Sequence, residues 1–267
     1  MNQWIPETVT FTPANFQVML KKYTLLFMKP SNGMKGSSIV RITAKNKRFV
    51  VWARSRSYGL IHAELLNEES MTAWLKAWKN RQKIRKGRFI LQQGLNLELL
   101  PNRFSDVRIL IQKDGKGEWQ ITGMGIRVGE PKSPNSNLNG NARGKTFPFD
   151  LFMKKRFGNE KAVFIRQECE KLAHEVVKVI EKRYGSMMEF GLDVGVDVNG
   201  HVWLIEANLK PGRTLFTKMG AYKVYRDSVR RPLQYAMYLS KTQGMRLKRH
   251  EDLVCSSGIG KQIKAEV

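Results

Sequence analysis

Two carboxylates and a carboxamide lie close together in one short stretch of the chain: Asp193, Glu206 and Asn208. The residues around Asp193 alternate between apolar and other types, as in a half-buried β-strand. An Asn-Gly pair at 199–200 separates Asp193 from the other two residues, and this pair is a strong signal for a β-hairpin with a two-residue turn. The sequence therefore predicts that the three side chains lie on two adjacent antiparallel strands.

The register of this hairpin decides how far apart the two carboxylates are. A two-residue turn pairs Val198 with His201, and counting back along both strands then pairs Asp193 with Glu206. Side chains at such a pair share one face, with Cβ atoms about 5 Å apart, and Asn208 lies on that face because side chains alternate. Carboxylate and amide oxygens suit Mg²⁺. We therefore predict a magnesium site, with ordinary exposed strand residues as the alternative.

The residues around Glu206 favour the metal over that alternative. Residues 202–207 read Val-Trp-Leu-Ile-Glu-Ala, which is the composition of a largely buried strand. A carboxylate buried among such neighbours requires a partner of opposite charge. We therefore expect Glu206 to be buried and to need a cation.

A lysine at the end of an apolar strand is the second candidate. Residues 23–28 predict a strand, Lys29-Pro30 follows, and a turn with two glycines comes next at 31–38. Small residues leave backbone N–H groups free to fold over phosphates, and Lys29 would point across the mouth of the sheet. The spacing matches neither the P-loop nor the dinucleotide-binding glycine motif. A plain hairpin turn is the alternative.

The elements that would position these residues fall into two groups. The first consists of a short helix starting at Thr12-Pro13, a helix at 72–84 and strands at 23–28, 39–43, 48–53 and 89–93. The second consists of strands at 106–112 and 118–128, a helix at 160–184, the hairpin and a helix at 228–241. On the long helix we assign the core face to Val163, Phe164, Leu172, Val176 and Ile180. The pattern predicts an α+β protein.

Length and composition limit the possible classes. The chain has 267 residues and 42% hydrophobic residues, enough to form a core. No apolar run is long enough to span a membrane, the N-terminal residues do not resemble a secretory signal, and two cysteines make no disulfide framework. We therefore expect a cytoplasmic protein. The predicted domains are 1–93 and 94–241, followed by a mobile polar tail at 242–267.

The net charge of +24 points to an anionic partner. The excess is uneven, because no acidic residue lies between Glu7 and Glu64, whereas the carboxylates gather around 160–206. A nucleic-acid-binding module is one alternative, although it would leave the Asp193/Glu206 pair unexplained. We expect only nonspecific nucleic-acid binding.

The segment 204–212, Leu-Ile-Glu-Ala-Asn-Leu-Lys-Pro-Gly, resembles the E-x-N-x-x-P-G signature of ATP-grasp enzymes, whose upstream metal aspartate fits Asp193. The segments 27–38 and 89–95 resemble their phosphate-loop region and their adenine-binding hinge strand. Residues 106–108 and 136–140 resemble the D-x-R and S-N-L motifs of ribosomal-protein glutamate ligases. The resemblance covers nearly the whole chain and is greatest to the YheC/YheD-type spore-coat-associated group.

The resemblance implies the ATP-grasp fold, two α+β lobes that hold a nucleotide between antiparallel sheets. It implies ATP and Mg²⁺ as cofactors, with Asp193, Glu206 and Asn208 on the metal. The residues implied at the nucleotide are Lys29, Ser31, Asn32, Gly33, Gly36, Ser37, Ser38, Gln92, Gln93 and Leu95. The residues implied at the transferring phosphoryl group or the substrates are Arg108, Arg127, Lys29, Asn137, Lys210 and Arg213.

The activity implied is that of an ATP-dependent carboxylate–amine ligase. Its substrates would be a carboxylate and an amine, with an acidic peptide or a spore-coat-type protein as one acceptor. A small-molecule kinase on the same fold is the alternative, since both reactions share the phosphoryl step. Family members usually carry an N-terminal α/β domain, which we expect to be absent here or replaced by a partner. The oligomeric state stays open.

Overall fold

The computed structural model describes residues 1–31, 37–55, 57, 59–82, 88–131 and 144–256, with the backbone alone for 243–256. In this described part the chain forms two antiparallel sheets, each covered by helices. None of the described helices is both long and apolar enough to cross a bilayer.

The N-terminal sheet has six strands in the order β1-β6-β2-β3-β4-β5. The strands are β1 (Thr8–Thr10), β2 (Leu25–Pro30), β3 (Ile39–Lys45), β4 (Arg48–Arg54), β5 (Leu60–Leu65) and β6 (Phe89–Gln93). Two helices, α1 (Pro13–Lys22) and α2 (Glu68–Arg81), bury their apolar residues against one face of it. Thr12 caps α1 by accepting the Asn15 N–H, as its position before Pro13 predicts.

The C-terminal sheet has five strands in the order β11-β10-β7-β8-β9. The strands are β7 (Ser105–Lys113), β8 (Trp119–Val128), β9 (Lys145–Pro148), β10 (Glu189–Val196) and β11 (Val202–Asn208). The helices are α3 (Phe149–Phe157), α4 (Asn159–Tyr184), α5 (Thr214–Lys218) and α6 (Tyr222–Ser256). Helices α3 and α4 build a core with one face of the sheet.

Helices α5 and α6 approach the other face of the C-terminal sheet where β8 carries glycines. A Cβ on Gly123 would lie 2.4 Å from a side-chain carbon of Val224, and one on Gly125 would lie 2.7 Å from Met219. Such distances are shorter than van der Waals contact, so a side chain at either position would push the helices away. The two glycines therefore set how closely these helices pack.

The predicted core face of α4 is wrong at its N-terminal end. Val163 and Phe164 are 56% and 57% exposed, whereas Ile165 and Cys169 are fully buried. The buried stripe recurs every three or four residues from Ile165 toward Val176, and the neighbouring positions 163 and 164 fall outside it. Gly185 ends α4 with a φ of 83°, which is the left-handed region that glycine tolerates.

Both ends of the chain differ from the predicted domains. Trp4, assigned to the N-terminal domain, is buried in the core of the C-terminal sheet, and its indole N–H donates to Glu168. The last helix is longer than predicted, because α6 spans Tyr222–Ser256 and so includes the first part of the predicted tail. Residues 257–267 lie outside the described part.

The two sheets face each other across a cleft. Phe27 on β2 packs edge-on against Phe104, just before β7, with ring centroids 5.9 Å apart. Arg41 on β3 lies over the same ring and pairs with Glu98 at 3.0 Å. Phe27 and Arg41 are direct partners across β2 and β3, so this face of the N-terminal sheet turns toward the C-terminal sheet.

Candidate active site

The hairpin between β10 and β11 has a longer turn than the predicted two residues. The Asp197 carboxylate accepts the backbone N–H groups of Asn199 and His201 at 2.9 and 3.0 Å, and the Asp197 N–H donates to the His201 carbonyl. The Val198 N–H donates to the Asn96 carbonyl instead. The predicted pairing of Val198 with His201 is therefore wrong, because an aspartate side chain organises a wider turn.

A β-bulge nevertheless brings the predicted carboxylates together. Val194 pairs with Leu204 and Asp193 pairs with Glu206, so the register shifts by one residue between them. The extra residue in β11 is Ile205. Without the bulge, Asp193 would face Ile205 and Glu206 would lie on the opposite side of the sheet. The Asp193/Glu206 pair is confirmed, although by a different route from the one predicted.

Asp193 is only 7% exposed and lies between two arginines. Its Oδ1 atom is 2.7 Å from Nε of Arg108, and its Oδ2 atom is 3.0 Å from a terminal nitrogen of Arg127. Arg127 also binds Asp106 through both of its oxygens, with Nε donating at 2.7 Å. Burial alone would lower the pKa of Arg127, but these two carboxylates raise it above its ordinary value.

Glu206 has a different environment from the one predicted. It is exposed, and among the described residues it forms no ion pair. The surrounding protein still desolvates it enough to raise the pKa of its carboxyl, and the charge of Asp193 raises that pKa further. Lys29, Arg108 and Arg127 act in the opposite direction. The expectation that Glu206 is buried is wrong; the buried member of the pair is Asp193.

Lys29 reaches the same cluster from the N-terminal sheet. Lys29 is half-buried on β2 and lies on the strand face that also carries Phe27. Burial lowers the pKa of its ammonium group, and the Glu206 carboxylate partly opposes that effect. No carboxylate of the described residues lies within ion-pair distance of Lys29. The Lys29 ammonium is therefore close enough to Glu206 for their charges to interact, but the two groups form no ion pair.

The oxygen-bearing groups around Glu206 fit a magnesium ion. Asn208 pairs with Gly191 across the hairpin, one step along the same face. Its side-chain Nδ2 is buried without a hydrogen-bond partner among the described residues; because Nδ2 is a donor, only the carboxamide oxygen of Asn208 could ligate a metal. Asp193 Oδ1 is likewise buried without a hydrogen bond, although Arg108 Nε lies beside it. No cluster of three His, Cys, Asp or Glu side chains suited to a metal occurs in the described part, so such a site depends on Asn208.

Gly191 leaves room for one of the arginines. A Cβ at this position would lie 2.8 Å from a terminal nitrogen of Arg108 and 2.7 Å from Cβ of Pro211. Both contacts are too short for a real side chain. The absence of a side chain at Gly191 thus allows Arg108 and the segment after β11 to close on each other beside Asp193.

The predicted phosphate-loop residues are only partly within the described part. Asn32, Gly33 and Gly36 lie outside it. Ser31 accepts the Arg88 N–H on its hydroxyl at 3.0 Å and donates its own N–H to the Arg88 carbonyl. Ser38 is buried, and its hydroxyl donates to Gln82 at 3.0 Å. The two described ends of the loop are therefore tied to the start of β6 and the end of α2; Ser37 also has an interaction partner.

The predicted adenine-binding residues divide into two kinds. The side chains of Gln92 and Gln93 are engaged with the β1 side of the sheet, Gln92 donating to Thr8 and Gln93 accepting from the Glu7 N–H. Leu95 is buried in a small apolar cluster between the sheets. That cluster consists of Leu95, Leu97 and Phe104 with Phe27, Trp203 and Ile205 packed against them. Leu95 is therefore part of a packed cluster, and the partly exposed apolar side chains there are those of Phe27, Trp203 and Ile205.

The predicted substrate residues are placed very differently from one another. Arg213 donates to Glu189 at 2.5 Å and to the Ser228 carbonyl at 3.1 Å, so its guanidinium is not free to bind a substrate. Lys210 is exposed just after β11. Asn137 lies outside the described residues.

Asp106 was matched to the D-x-R motif, but no role in the site was predicted for it. It lies two positions before Arg108 on β7 and pairs directly with Arg127 on β8. Its carboxylate is buried against Arg127. The available signal was the strand itself, since residues two apart on a strand share a face and a buried carboxylate on that face needs a cation.

Two curated proteins are similar to this chain in sequence. The chain is 26% identical over 219 residues to the endospore coat-associated protein YheD of Bacillus subtilis (strain 168), covering 82% of this chain and 46% of that protein. It is 24% identical over 222 residues to YheC of the same organism, covering 80% and 56%. The chain thus spans about half the length of these curated relatives.

A D-alanine-D-alanine ligase from Coxiella burnetii superposes with a TM-score of 0.46 and 11% identity, over 92% of this chain and 57% of that one. So loose a likeness says nothing about activity. The family model described as YheC/D-like ATP-grasp matches residues 1–239, which include both sheets and every described residue of the cleft discussed above. The chain therefore belongs to the YheC/D-like ATP-grasp family and has its α+β fold.

Proposed function

We propose that the protein is an ATP-dependent ligase that joins a carboxylate to an amine through an acyl phosphate. The observation that carries the proposal is the charge cluster in the cleft. Three cations and three carboxylates converge there: Lys29, Arg108 and Arg127 with Asp106, Asp193 and Glu206. Their formal charges cancel, so the cluster is balanced while it is free and can rearrange around an incoming anion.

The cleft offers separate surfaces to the two ends of ATP. We assign the adenine to the apolar cluster at Leu95, with Phe27 from the opposite sheet. We assign the α- and β-phosphates to Lys29, whose ammonium faces Glu206 across the cleft. Ser31 and Ser38, at the two described ends of the predicted phosphate loop, are tied to Arg88 and Gln82 and would flank the phosphates.

Glu206, Asp193 and Asn208 would hold Mg²⁺. When bound, the ion would neutralise part of the phosphate charge and orient the terminal phosphoryl group. The chain's own part is to present hard oxygens from two adjacent strands, one carboxylate buried and the other exposed to the cleft. Burial and the charge of Asp193 raise the pKa of Glu206 in the free protein, which indicates that an added positive charge is favoured here.

The reaction needs no nucleophile from the protein. A substrate carboxylate oxygen would attack the γ-phosphorus and ADP would leave; the amine nitrogen would then attack the acyl carbon, lose a proton and expel phosphate. Catalysis would rest on positioning and charge stabilisation. Arg127, fixed by Asp106, is suited to hold the transferring phosphoryl group. Cys169 is unsuited to covalent catalysis, since burial raises the pKa of its thiol.

We further propose that the amine or carboxylate acceptor is an acidic peptide or protein. The net charge of +24 supports an anionic substrate, and Lys210 is exposed two residues beyond Asn208. The names of the relatives YheC and YheD suggest endospore coat material as the first acceptor to test.

Mass spectrometry of the products tests the proposal directly. The protein is incubated with Mg²⁺, ATP and a panel of amino acids and acidic peptides, and both the nucleotide and the acceptor are analysed. ADP together with an amide-linked product supports a ligase. ADP with a stable phosphorylated product would identify a kinase instead. Asp193→Asn is the matched blank, and a wild type that turns over no more ATP than this variant would contradict the proposal.

A further inference from the structure

We propose that Arg108 and Arg127 act as resident counter-ions of Asp193, so that magnesium and nucleotide bind this chain together and the metal alone binds poorly. The inference rests on the proposed function, since it concerns how the same cleft loads its ligands. Its starting point is that the one buried carboxylate of the predicted metal set is already held by two guanidinium groups.

The two arginines hold Asp193 unequally. Arg127 has a second partner, because Asp106 binds it through both oxygens. Among the described residues, Arg108 forms one ion pair, between Nε and Asp193 Oδ1 at 2.7 Å and without hydrogen-bond alignment. Asp106 is therefore a positioning residue, which keeps Arg127 in place when Asp193 changes partner. Arg108 is the arginine more easily exchanged for a metal.

The packing shows that the Arg108 position is built rather than incidental. A Cβ on Gly191 would meet both Arg108 and Pro211 at less than van der Waals distance. Asp193 faces Arg108 across the strand pair on one side and Glu206 on the other. The guanidinium thus lies against the backbone of Gly191, and the strand register puts Arg108 directly opposite Asp193.

Charge balance gives the reason for joint binding. The six ionised groups of the cluster sum to zero, so a divalent cation added alone leaves uncompensated positive charge beside the buried Arg127 and the partly buried Arg108. Nucleotide phosphates would compensate that charge and would give Arg108 a new acceptor when it leaves Asp193. A coupling of this kind is reciprocal, and such couplings typically change affinity by about 5- to 150-fold.

Two pairs of variants test the counter-ion role on the full chain. Binding of Mn²⁺ alone is followed by the loss of the electron paramagnetic resonance signal of the free ion. We expect Arg108→Gln to bind Mn²⁺ about tenfold more tightly than wild type. Arg166→Gln is the matched control, since Arg166 pairs with Asp150 on the surface of α3 and α4, and it should bind as wild type does.

For the second pair, Asp193→Asn and Asp150→Asn, the affinity for ADP is measured by calorimetry in the presence of a chelator. Asp193→Asn should bind metal-free ADP about tenfold more tightly than wild type, because Arg108 is released toward the phosphates while Asp106 keeps Arg127 in place. Asp150→Asn should not differ from wild type. The inference is overturned if Arg108→Gln and Asp193→Asn, both folded by circular dichroism, bind like their controls. If Arg108→Gln does not fold, the Asp193→Asn result decides alone. Wild type that binds no ADP even with Mg²⁺ overturns the proposed function, which is a separate outcome.

Discussion

Strand β10 carries two arginine–carboxylate clusters, and they differ in how completely they are satisfied. At its start, Glu189 accepts from Arg213 at 2.5 Å and from Gln112 at 2.7 Å. Arg213 and Gln112 also share the Ser228 carbonyl of α6. Four residues further along β10, Asp193 has an oxygen without a hydrogen bond, and Arg108 beside it has a nitrogen without one.

The difference matches the roles that we propose, a structural ion pair at Glu189 and a functional one at Asp193. The Glu189 cluster lies beside α6, and its Arg213 and Gln112 side chains join that helix to the sheet by donating to the Ser228 carbonyl. The Asp193 cluster opens on the cleft, next to an exposed carboxylate whose pKa is raised. Buried polar groups left unsatisfied in a native fold call for an explanation, and the proposed function offers one, since Mg²⁺ and phosphates would engage these groups.

Glu206→Gln should lower turnover about 10³-fold, the upper range for loss of one charge-stabilising group. The substitution removes the charge but keeps the shape, so it also removes the repulsion from Asp193. The free variant should therefore unfold at the same or a higher temperature than wild type. Steady-state kinetics and thermal unfolding check the two parts, and full magnesium-dependent activity in the variant would exclude Glu206 from the metal site.

Arg213→Ala should act on the other cluster in the opposite way. It leaves Glu189 partly buried without its cation, which typically costs about 3 kcal/mol or more of unfolding free energy. Turnover per folded molecule should stay near that of wild type, because Arg213 does not reach the cleft cluster. Urea unfolding measures the loss. An intact stability with a large rise in KM for the acceptor would restore Arg213 as a substrate residue.

Lys29→Ala should weaken nucleotide binding about tenfold, through loss of a partly desolvated cation facing the phosphates. The fold should be little affected, because no ion pair to Lys29 exists among the described residues. Calorimetry with MgADP gives the affinity, and Lys22→Ala, which removes an exposed lysine paired with Glu7, is the matched control. Equal affinities in the two variants would remove Lys29 from the nucleotide site.

The pH dependence of stability gives the smallest and most local test. A carboxyl whose pKa is higher in the folded than in the unfolded state lowers the free energy of unfolding once it is ionised. For Glu206 this loss is absent below the ordinary pKa, grows as pH rises from that value to the raised one, and is complete above it. The stability advantage of Glu206→Gln over wild type should therefore be absent in acid and grow toward neutral pH. An advantage independent of pH would mean that the Glu206 carboxyl is not perturbed.

Sequence reasoning succeeded where the signal was local. The Thr12 cap, the strand β6 and the end of α4 at Gly185 follow from turn and cap chemistry within a few residues. The Asp193/Glu206 pair was reached through two errors that cancel, because the Asp197-organised turn and the bulge at Ile205 each shift the register by one residue. Neither feature has a strong signal in a single sequence.

The rest of the site depends on long-range contacts that periodicity does not encode. Arg127 and Asp106 meet across β7 and β8, and Lys29 reaches the cluster from the other sheet. The exposure of Glu206 could not be read from its apolar neighbours, since β11 is an edge strand with its end open to the cleft. Arg213 looked free in sequence because its partner Glu189 lies 24 residues away.

Thermal unfolding of wild type with and without nucleotide tests most directly whether this cleft binds ATP. A ligand that binds only the native state raises the unfolding midpoint. We predict a clear rise with MgATP or MgADP at millimolar concentration, a smaller rise when a chelator replaces Mg²⁺, and almost no magnesium-dependent part in Glu206→Gln. An unchanged midpoint with both nucleotides would contradict the assignment of this cleft as an ATP site.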